Sequence, residues 1–596
     1  MLSLSSLPSV PALICFAFLL LFFSFLPNLK TCRLPRRRSD ASETADSRRR
    51  ETLSVLTVTL LYAAVAFWNL GDISSPETFI PMQNRSVVLQ PLSDKTPAKI
   101  MLFCGTGQGE YSVECSWDGE YWTPAASLEQ DHVAVLKWHT LELELSSAPS
   151  YFRVNCLWGT PWLGELVFLD SEGLPVPYNC SDEALRDEQV LVPEKMTYRN
   201  SSYFDEIYHA RTAWEHLHAI WPYEISHPPL GKNLISLGIL LFGMTPFGWR
   251  FSGTVAGVLM IPVMYLLLKR LFGGRRIPMI GSILLFSGFL HYTQTRIATI
   301  DSFSVLFILL MYYFMAGWLQ DDNPGSLGLC GLCFGAGAAC KWICLYAGAG
   351  LAVLWCSHWI WRFSSANQSE REALVPALIR NILFCLLYFI VLPCLIYYLS
   401  YLPYGKAKGF PAFSRPYTRM VLENQSFMYS YHANVSAEHP YSSRWYQWIL
   451  DIRPILYYVE YLPEGKRISM AAFVNPLICW GGLITLPILL WTAIGRRDRT
   501  AVFLIIAYLA ELIPWMFIRR ITFAYHYFAA AVFLIPCLCY VFRLMERSSR
   551  LARIMTIVFT VLSVFLFVLF FPVLNGLPVA HETAKALFTW LKTWPI

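Results

Sequence analysis

Two adjacent acids stand in a polar segment of a mostly apolar chain. Asp205 and Glu206 lie near the start of residues 203–232, which also contain four histidines, one arginine and several aromatic residues. Neighbouring positions on a helix point about 100° apart, so the two carboxylates cannot both reach one atom. One acid could act as a general base while the other positions or binds. The alternative, in which Asp205 caps a helix, accounts for one acid but not for the other charges beside it.

Membrane spans are the elements that must hold these residues. Of the 596 residues, 55% are hydrophobic and only 15% are charged, whereas an ordinary soluble domain is about 25% charged. The apolar residues form blocks such as 502–518 and 554–571, each close to the roughly 20 residues that cross a bilayer as a helix. Lysine and arginine gather between the blocks, which indicates membrane topology and not nucleic-acid binding. The sequence therefore predicts a polytopic α-helical membrane protein and excludes a soluble enzyme.

Basic loops orient the predicted spans, because lysine and arginine concentrate on the inner side. About twelve spans fit this pattern: 13–26, 53–68, 255–268, 280–291, 302–318, two short passes between 325 and 361 that turn near Lys341, 384–402, 470–494, 502–518, 523–542 and 554–571. Residues 229–243 are short for a span and are expected to form a helix at the outer interface. The sequons at Asn84, Asn179, Asn200, Asn424 and Asn434 then fall outside, and that at Asn367 falls inside. The acid pair is thus predicted to face the extracytoplasmic side of a cell membrane.

An extracytoplasmic insert precedes the acid pair. Residues 97–175 alternate as strands do, with expected strands at 99–104, 111–116, 133–136, 140–145, 151–156 and 164–169. These segments predict a β-sandwich, and the string GEYSVECSWDGEYWTPA resembles discoidin-like jelly-roll modules. Such modules often bind carbohydrate, and a spacer that shields the site is the alternative. Cys104, Cys115, Cys156 and Cys180 lie where disulfides can form, and the sequence does not choose among their pairings.

Five further motifs follow these acids in order. After the DE pair come HPPLGK at 227–232, WRFSG at 249–253, RIATIDS at 296–302, HPYSSRWYQW at 439–448 and RRITFAYHY at 519–527. Over residues 203–545 the chain resembles the protein O-mannosyltransferases, glycosyltransferase family 39. The DE pair alone is a weak signal, but its combination with HPPLGK and HPYSS is specific. The loop 403–467 is too short for the MIR domains of eukaryotic members, so the chain resembles the bacterial type, from which its insert and additional N-terminal span depart.

The resemblance implies a GT-C fold and a division of chemical roles. It implies an inverting transfer of mannose from a polyprenyl-phosphate donor to a Ser or Thr hydroxyl of an exported protein. A hydroxyl has a very high pKa and needs a base in the transition state, and the resemblance assigns this role to Asp205, with Glu206 as its catalytic neighbour. The departing phosphate gains negative charge and needs fixed cations. Arg250 is the cation that the family match places there.

Further donor and substrate contacts are expected near the outer ends of the spans. The cations expected to help bind the donor phosphate or lipid are Lys232, Arg296, Lys341, Arg519 and Arg520. The alternative for these residues is that they snorkel to lipid headgroups. The residues expected to contact the sugar or the acceptor peptide are His227, Asp301, His432, His439, Tyr441, Trp445 and His526. Aromatic residues among and beside them suit stacking on a sugar or a peptide.

No metal site and no cofactor are expected. The spacing of the histidines near the motifs does not form a local metal-binding motif such as HExxH. The family that the chain resembles is also regarded as not depending on a bound metal for donor binding. Cys330 and Cys333 form a CxxC pair inside a glycine-rich span, where small packing residues are the expected role.

The predicted domain order starts with an anchor span, a basic loop and the first core span in residues 1–70. The insert in 71–200, a catalytic loop in 201–248, the GT-C core in 249–573 and an outside tail in 574–596 follow. Three other functions are open: a related GT-C transferase acting on a lipid or cell-wall polymer, a transporter, and an inactive carbohydrate-binding subunit. The absence of a repeated half disfavours the transporter, and the intact acid pair disfavours the inactive subunit. The sequence does not indicate the oligomeric state.

Overall fold

The computed structural model describes residues 9–30, 44–436 and 438–596. Two compact units divide the chain. Of the described residues, the helical unit contains 9–30, 44–68, 225–231, 253–436 and 438–596, and the insert unit contains 69–224 and 232–252. Long apolar helices dominate the first, and antiparallel strands dominate the second.

The helices begin and end as follows. They are α1 (Val10–Ser24), α2 (Ala45–Phe67), α3 (Glu206–Leu217), α4 (Leu230–Phe242), α5 (Pro246–Phe272), α6 (Arg276–Phe286), α7 (Phe289–Thr295), α8 (Asp301–Asp321), α9 (Pro324–Cys340), α10 (Ile343–Ser365), α11 (Gln368–Leu386), α12 (Leu392–Ser400), α13 (Leu402–Lys408), α14 (Arg415–Asn434), α15 (Trp445–Ile449), α16 (Pro476–Arg496), α17 (Arg499–Leu512), α18 (Phe528–Ala531), α19 (Leu534–Met545), α20 (Arg550–Asn575) and α21 (His581–Phe588).

Apolar helices of membrane-spanning length confirm the predicted class. Among the described residues, eight helical segments are long and apolar enough to cross a membrane, or nine when the bent pair 524–531 and 534–545 counts as one span. Three shorter apolar helices, α1, α6 and α9, overlap three further predicted spans. The predicted turn near Lys341 is present, because Lys341 has extended backbone angles between α9 and α10. Helix α4 has 13 residues, which is short for a span.

One predicted span begins later than expected. The sequence predicted a span at 470–494, but Lys466–Ala472 forms a strand, β12, and α16 starts only at Pro476. Asn475 caps this helix by accepting a hydrogen bond from the Leu477 amide at 3.2 Å, and proline follows at the first helical position. Strand β12 pairs with β11 (Ile455–Tyr461) and with β13 (Val579–Ala580). The C-terminal tail therefore adds a strand to a small sheet of the helical unit.

Two five-stranded sheets form the insert unit. Its strands are β1 (Ile80–Pro81), β2 (Ser86–Pro91), β3 (Lys99–Cys104), β4 (Gly109–Ser116), β5 (Thr123–Gln130), β6 (Lys137–Glu142), β7 (Tyr151–Gly159), β8 (Trp162–Leu169), β9 (Pro175–Val176) and β10 (Tyr178–Cys180). One sheet has the order β1-β8-β3-β6 with β9 on β8, and the other has the order β10-β2-β7-β4-β5. Inward side chains such as Leu102, Val113 and Phe152 are buried in one core. The predicted β-sheet insert is confirmed.

The predicted strand at 133–136 is wrong, and β5 was missed. The Asp131 carboxylate accepts hydrogen bonds from the amides of Val133 and Ala134 at 2.8 and 2.9 Å. Such local bonds favour a turn over a ladder, and Leu136 has a positive φ of 55°. The chain therefore turns at 131–136 and resumes pairing in β6.

The four insert cysteines, Cys104, Cys115, Cys156 and Cys180, are free thiols in the structure.

Candidate active site

The two acids at the start of α3 have different environments. Asp205 directly precedes the helix with φ −73° and ψ −1° and is partly exposed, whereas Glu206 is fully buried. These angles are helical and differ from the extended conformation of a typical capping residue. The preceding residue, Phe204, has φ 50°, a conformation that is disfavoured for residues with a Cβ and frequent at functional sites. The turn thus presents Asp205 at the positive end of a helix, where a carboxylate is stabilised.

A buried ion pair holds Glu206. The Arg250 Nε donates to Glu206 Oε1 at 2.7 Å, and Nη2 donates to Oε2 at 2.8 Å. The guanidinium also donates to the carbonyl oxygens of Leu70 at 2.8 Å and Ser201 at 3.1 Å. Neither charged side chain is accessible to solvent. This two-pronged bond is the geometry that only arginine provides, and it favours a positioning role for Arg250 over the phosphate contact expected from the sequence.

Two other cations that the sequence predicted as phosphate ligands are also hydrogen-bonded to groups of the protein. In the insert unit, the buried Lys232 ammonium donates to Glu224 Oε2 at 2.5 Å and to the Glu224 carbonyl at 3.0 Å. In the helical unit, Arg296 donates to the carbonyl oxygens of Ala66 and Trp68, each at 2.9 Å. These oxygens end α2, where carbonyl groups have no partner within the helix. Lys232 and Arg296 therefore have evident structural roles, which the sequence alone did not reveal.

A cavity in the helical unit, here called the basic pocket, brings together four of the predicted residues. It has a volume of about 250 Å³ and is lined by Ser226, His227, Pro228, Lys341, Trp342, Ile343, Tyr346, Tyr429, His432, Ala433, Trp515, Ile518 and Arg520. His227, Lys341, His432 and Arg520 were predicted as donor or substrate contacts. Trp342, Tyr346, Tyr429 and Trp515 were not, and only the proximity of Trp342 to Lys341 and of Trp515 to the RRITFAYHY motif could have indicated them. The pocket combines cations with aromatic faces.

Hydrogen bonds fix the polar side of the basic pocket. Asp301, a predicted substrate contact, lies in the first turn of α8. The Lys341 ammonium donates a hydrogen bond to its carboxylate at 2.7 Å. The His432 Nε2 lies 2.8 Å from the Ser226 carbonyl oxygen, and the His227 ring packs edge-on against His432 at 5.0 Å. Arg520 makes no ion pair or side-chain hydrogen bond with any residue within 9–30, 44–436 and 438–596. Its guanidinium is therefore the lining cation with no acid to neutralise it.

Two distant motifs meet beside this pocket. The Ser443 amide donates to the Thr522 carbonyl at 2.9 Å, and the Thr522 hydroxyl donates to the Ser443 carbonyl at 2.6 Å. The indole of Trp448 stacks on the predicted His526, with ring centroids 6.0 Å apart, and Trp515 contacts the same imidazole edge-on at 4.6 Å. Trp448 of HPYSSRWYQW and His526 of RRITFAYHY thereby form one aromatic cluster with Trp515, which also lines the basic pocket.

Besides His526, four predicted residues of these motifs do not line the pocket. The exposed Arg519 is adjacent to Arg520, but its side chain is outside the lining. His439 packs on Phe523 at 5.1 Å and accepts the Tyr441 amide on Nδ1 at 3.2 Å. Tyr441 and Trp445 are half-buried in the same segment. Their sugar or peptide contacts stay predictions.

The protonation of His432 leads to a pH-dependent prediction. Burial, together with the nearby His227 and Arg520, lowers the pKa of His432 from 6.5 to about 4. The unfolded chain therefore binds a proton that the folded chain does not, and folding stability falls as the pH drops from about 6.5 to about 4. We expect the melting temperature of His432→Gln to fall less steeply over this window than that of the unmodified chain. Identical slopes would contradict this assignment.

One acidic group among the described residues has oxygens close enough to share a cation. Glu165, Asp187 and Glu188, all in the insert unit, have ligand atoms within 4.8 Å of one another. The buried Glu165 carboxyl accepts hydrogen bonds from the Glu188 amide at 2.9 Å and from the Gln189 side chain. Burial raises the pKa of Glu165 to about 7. These internal bonds account for the cluster, and the expectation of no metal stays a prediction.

Comparisons with known proteins agree with the motifs. Residues 226–379 match the family described as dolichyl-phosphate-mannose-protein mannosyltransferase, and residues 417–594 match the C-terminal four TMM region of protein-O-mannosyltransferase. The polyprenol-phosphate-mannose–protein mannosyltransferase of Mycolicibacterium smegmatis is 26% identical over 453 residues, which cover 66% of this chain and 87% of that protein. The protein of the same name from Mycobacterium tuberculosis is 24% identical over 458 residues, covering 67% and 88%.

A solved structure supports the fold. The Saccharomyces cerevisiae protein O-mannosyltransferase Pmt1-Pmt2 complex bound to the sugar donor contains a chain that superposes with a TM-score of 0.58 at 13% identity. The match covers 66% of this chain and 89% of that chain. Together with the two family matches and the apolar helices, these findings show that the chain belongs to the protein O-mannosyltransferase family and has the polytopic GT-C fold.

Proposed function

We propose that the chain transfers mannose from a polyprenyl-phosphate donor to Ser or Thr hydroxyls of exported proteins. The arrangement of the two acids carries the proposal: Glu206 is buried in a pair with Arg250, while Asp205 stays partly exposed at a helix N-terminus. One acid is thus held by the fold, and its neighbour is accessible to a substrate. The names of the curated relatives supply the sugar, the donor and the protein acceptor.

In the proposed reaction Asp205 is the general base. The acceptor oxygen attacks the anomeric carbon as its proton moves to the Asp205 carboxylate. The bond between the anomeric carbon and the phosphate oxygen breaks, and its electron pair leaves with the polyprenyl phosphate. A single displacement inverts the anomeric centre, so no covalent intermediate on the protein is needed. Glu206 and Arg250 position the turn that carries the base.

The basic pocket is proposed to bind the donor phosphate. The leaving phosphate gains negative charge, which fixed cations in a poorly hydrated cavity stabilise. Arg520 is the best candidate because its guanidinium is not neutralised by an acid of the described chain, whereas Lys341 is paired with Asp301. A planar guanidinium also matches two phosphate oxygens at once. Trp342, Tyr346 and Trp515 supply aromatic faces on which a sugar can stack.

The active site is proposed to face the extracytoplasmic side. The basic loops at 269–276, 496–499 and 543–553 support this orientation, because such loops remain on the inner side of a membrane. The acid pair and the motifs at 227–232 and 439–448 then lie on the opposite side. Acceptors would therefore be proteins that have crossed the membrane.

Adjacent arginines provide a matched test of donor binding. Arg520→Gln removes the unpaired cation from the basic pocket, and Arg519→Gln removes an exposed cation that does not line it. We expect Arg520→Gln to lower kcat/KM for the lipid-linked donor by roughly 10- to 100-fold, the effect of losing a hydrogen bond to a charged group. Arg519→Gln should change it less than about twofold. Equal effects of the two substitutions, or none from Arg520→Gln, would contradict phosphate binding in this pocket.

A further inference from the structure

A second and larger cavity lies in the helical unit, at the far end of the helices that carry the basic pocket. It has a volume of about 710 Å³, and its apolar wall includes Ala316, Leu319, Leu354 and Phe503. Helix α10 contributes to both cavities, with Tyr346 at the basic pocket and His358 at this one. Twelve residues of helix separate these positions, which corresponds to about 18 Å along the axis. The two cavities therefore face opposite ends of the helix bundle.

Two arginines without acidic partners stand at this second cavity. Arg497 and Arg499 both line it, and neither makes an ion pair or side-chain hydrogen bond within the described ranges of the chain. The Arg499 guanidinium lies 3.3 Å from the centroid of the Trp361 ring, which also lines the cavity. Asp321 is the one acid in the lining, so the two guanidiniums leave it positively charged.

The basic segment where α5 is followed by α6 behaves differently. Arg275 pairs with Glu51 at 3.0 Å, and Arg276 pairs with Glu546 at 3.1 Å. Each of these two arginines thus has an acidic partner within the protein. Arg497 and Arg499 have no such partner among residues 9–30, 44–436 and 438–596, which leaves them available to an external anion.

Arg497 has a backbone conformation that is uncommon for residues other than glycine. Arg497 ends α16 in the left-handed region, with φ 51° and ψ 38°. Helices α13 and α20 end in the same conformation with Gly409 and Gly576, because glycine adopts it without a steric cost. An arginine is disfavoured in this conformation, so the turn itself does not account for its presence.

We propose that this cavity binds an anionic phospholipid, with the phosphate between Arg497 and Arg499 and an acyl chain against the apolar wall. Basic pockets between transmembrane helices bind anionic lipid headgroups in this way. Arginine is suited to the phosphodiester because its fork donates to two oxygens at once. The apolar wall favours a lipid over a free anion, since burying a hydrocarbon chain adds affinity that inorganic phosphate cannot gain. The proposal is independent of the transfer reaction.

Thermal unfolding of the purified full-length chain in a zwitterionic detergent tests the site. The probes are phosphatidylglycerol, phosphatidylcholine with the same acyl chains, and inorganic phosphate. The variant is Arg497→Gly with Arg499→Ala, which removes both cations and supplies the residue that the α16 cap prefers. The control is Arg547→Ala with Arg550→Ala, which removes two exposed cations that do not line the cavity.

We expect phosphatidylglycerol to raise the melting temperature of the unmodified chain and of the control by several degrees, as a ligand bound only to the folded state does. Phosphatidylcholine and inorganic phosphate should give no comparable shift. The Arg497→Gly, Arg499→Ala variant should melt normally without lipid and lose most of the phosphatidylglycerol shift. An undiminished shift in this variant would overturn the site. An equal shift with phosphatidylcholine would overturn the role of charge, and one with inorganic phosphate would overturn the lipid as occupant.

Discussion

Asp205→Asn is expected to lower the rate of mannose transfer by about 10² to 10⁴, the contribution of a general base. Asparagine keeps the size of the side chain and removes its basicity, so donor binding should be retained. The substitution also separates catalysis from helix capping. Asparagine and aspartate are equally good capping residues, so a residue that only caps α3 would tolerate the change. The measurement is the single-turnover rate at saturating donor.

Asp498→Asn is the matched control for this prediction. Asp498 caps α17 by accepting a hydrogen bond from the Ala501 amide at 2.8 Å, and asparagine can replace it in that role. We expect its transfer rate to stay within about twofold of the unmodified chain, because the cap is preserved. An Asp205→Asn enzyme that is as active as Asp498→Asn would remove Asp205 from the role of base.

Arg250→Lys should lower both thermal stability and kcat while leaving the donor KM unchanged. Lysine keeps the charge but cannot form the paired bonds to Glu206 or reach the carbonyls of Leu70 and Ser201 together. Truncating one member of a buried ion pair costs about 3–5 kcal/mol of folding stability. For the replacement by lysine we expect a smaller loss of folding stability, about 1.5–3 kcal/mol. The turnover defect follows because the turn that presents Asp205 loses its support.

Arg211→Lys controls for a general loss of stability. Arg211 forms another buried pair in α3, donating to Glu215 Oε1 at 2.8 Å. Its replacement should reduce the melting temperature comparably but reduce kcat of the folded enzyme much less than Arg250→Lys does. A raised donor KM in Arg250→Lys with an unchanged melting temperature would instead support the phosphate contact that the sequence suggested.

Sequence was sufficient for features that depend on local pattern. Apolar blocks of span length and the basic loops predicted the helical class, and ordered motifs predicted the family. The turn at Lys341 followed from the requirement that the flanking basic loops stay on one side. Alternating residues predicted most of the insert strands, although the Asp131 turn displaced one of them.

The partners of the charged residues were beyond the sequence. Lys232, Arg250 and Arg296 all stood near predicted span ends, and each was a plausible phosphate ligand by position. In the fold they bind Glu224, Glu206 and two helix-terminal carbonyls. Which acid neutralises which cation depends on tertiary contacts between distant segments, and no periodicity encodes them. Arg519 and Arg520 are adjacent and chemically identical, but only Arg520 lines the basic pocket. Which of the two side chains does so depends on the three-dimensional fold.

Transfer of radiolabelled mannose from polyprenyl phosphate by the purified chain tests the central claim most directly. The reaction would contain the chain, the labelled donor, a Ser/Thr-rich peptide and the membrane lipids, with Asp205→Asn run in parallel. We predict alkali-labile label on the peptide, which a peptide with alanine at every Ser and Thr does not accept and which Asp205→Asn reduces by at least about 10². Label that appears on lipid, or none on the peptide with intact donor bound, would contradict the proposed function.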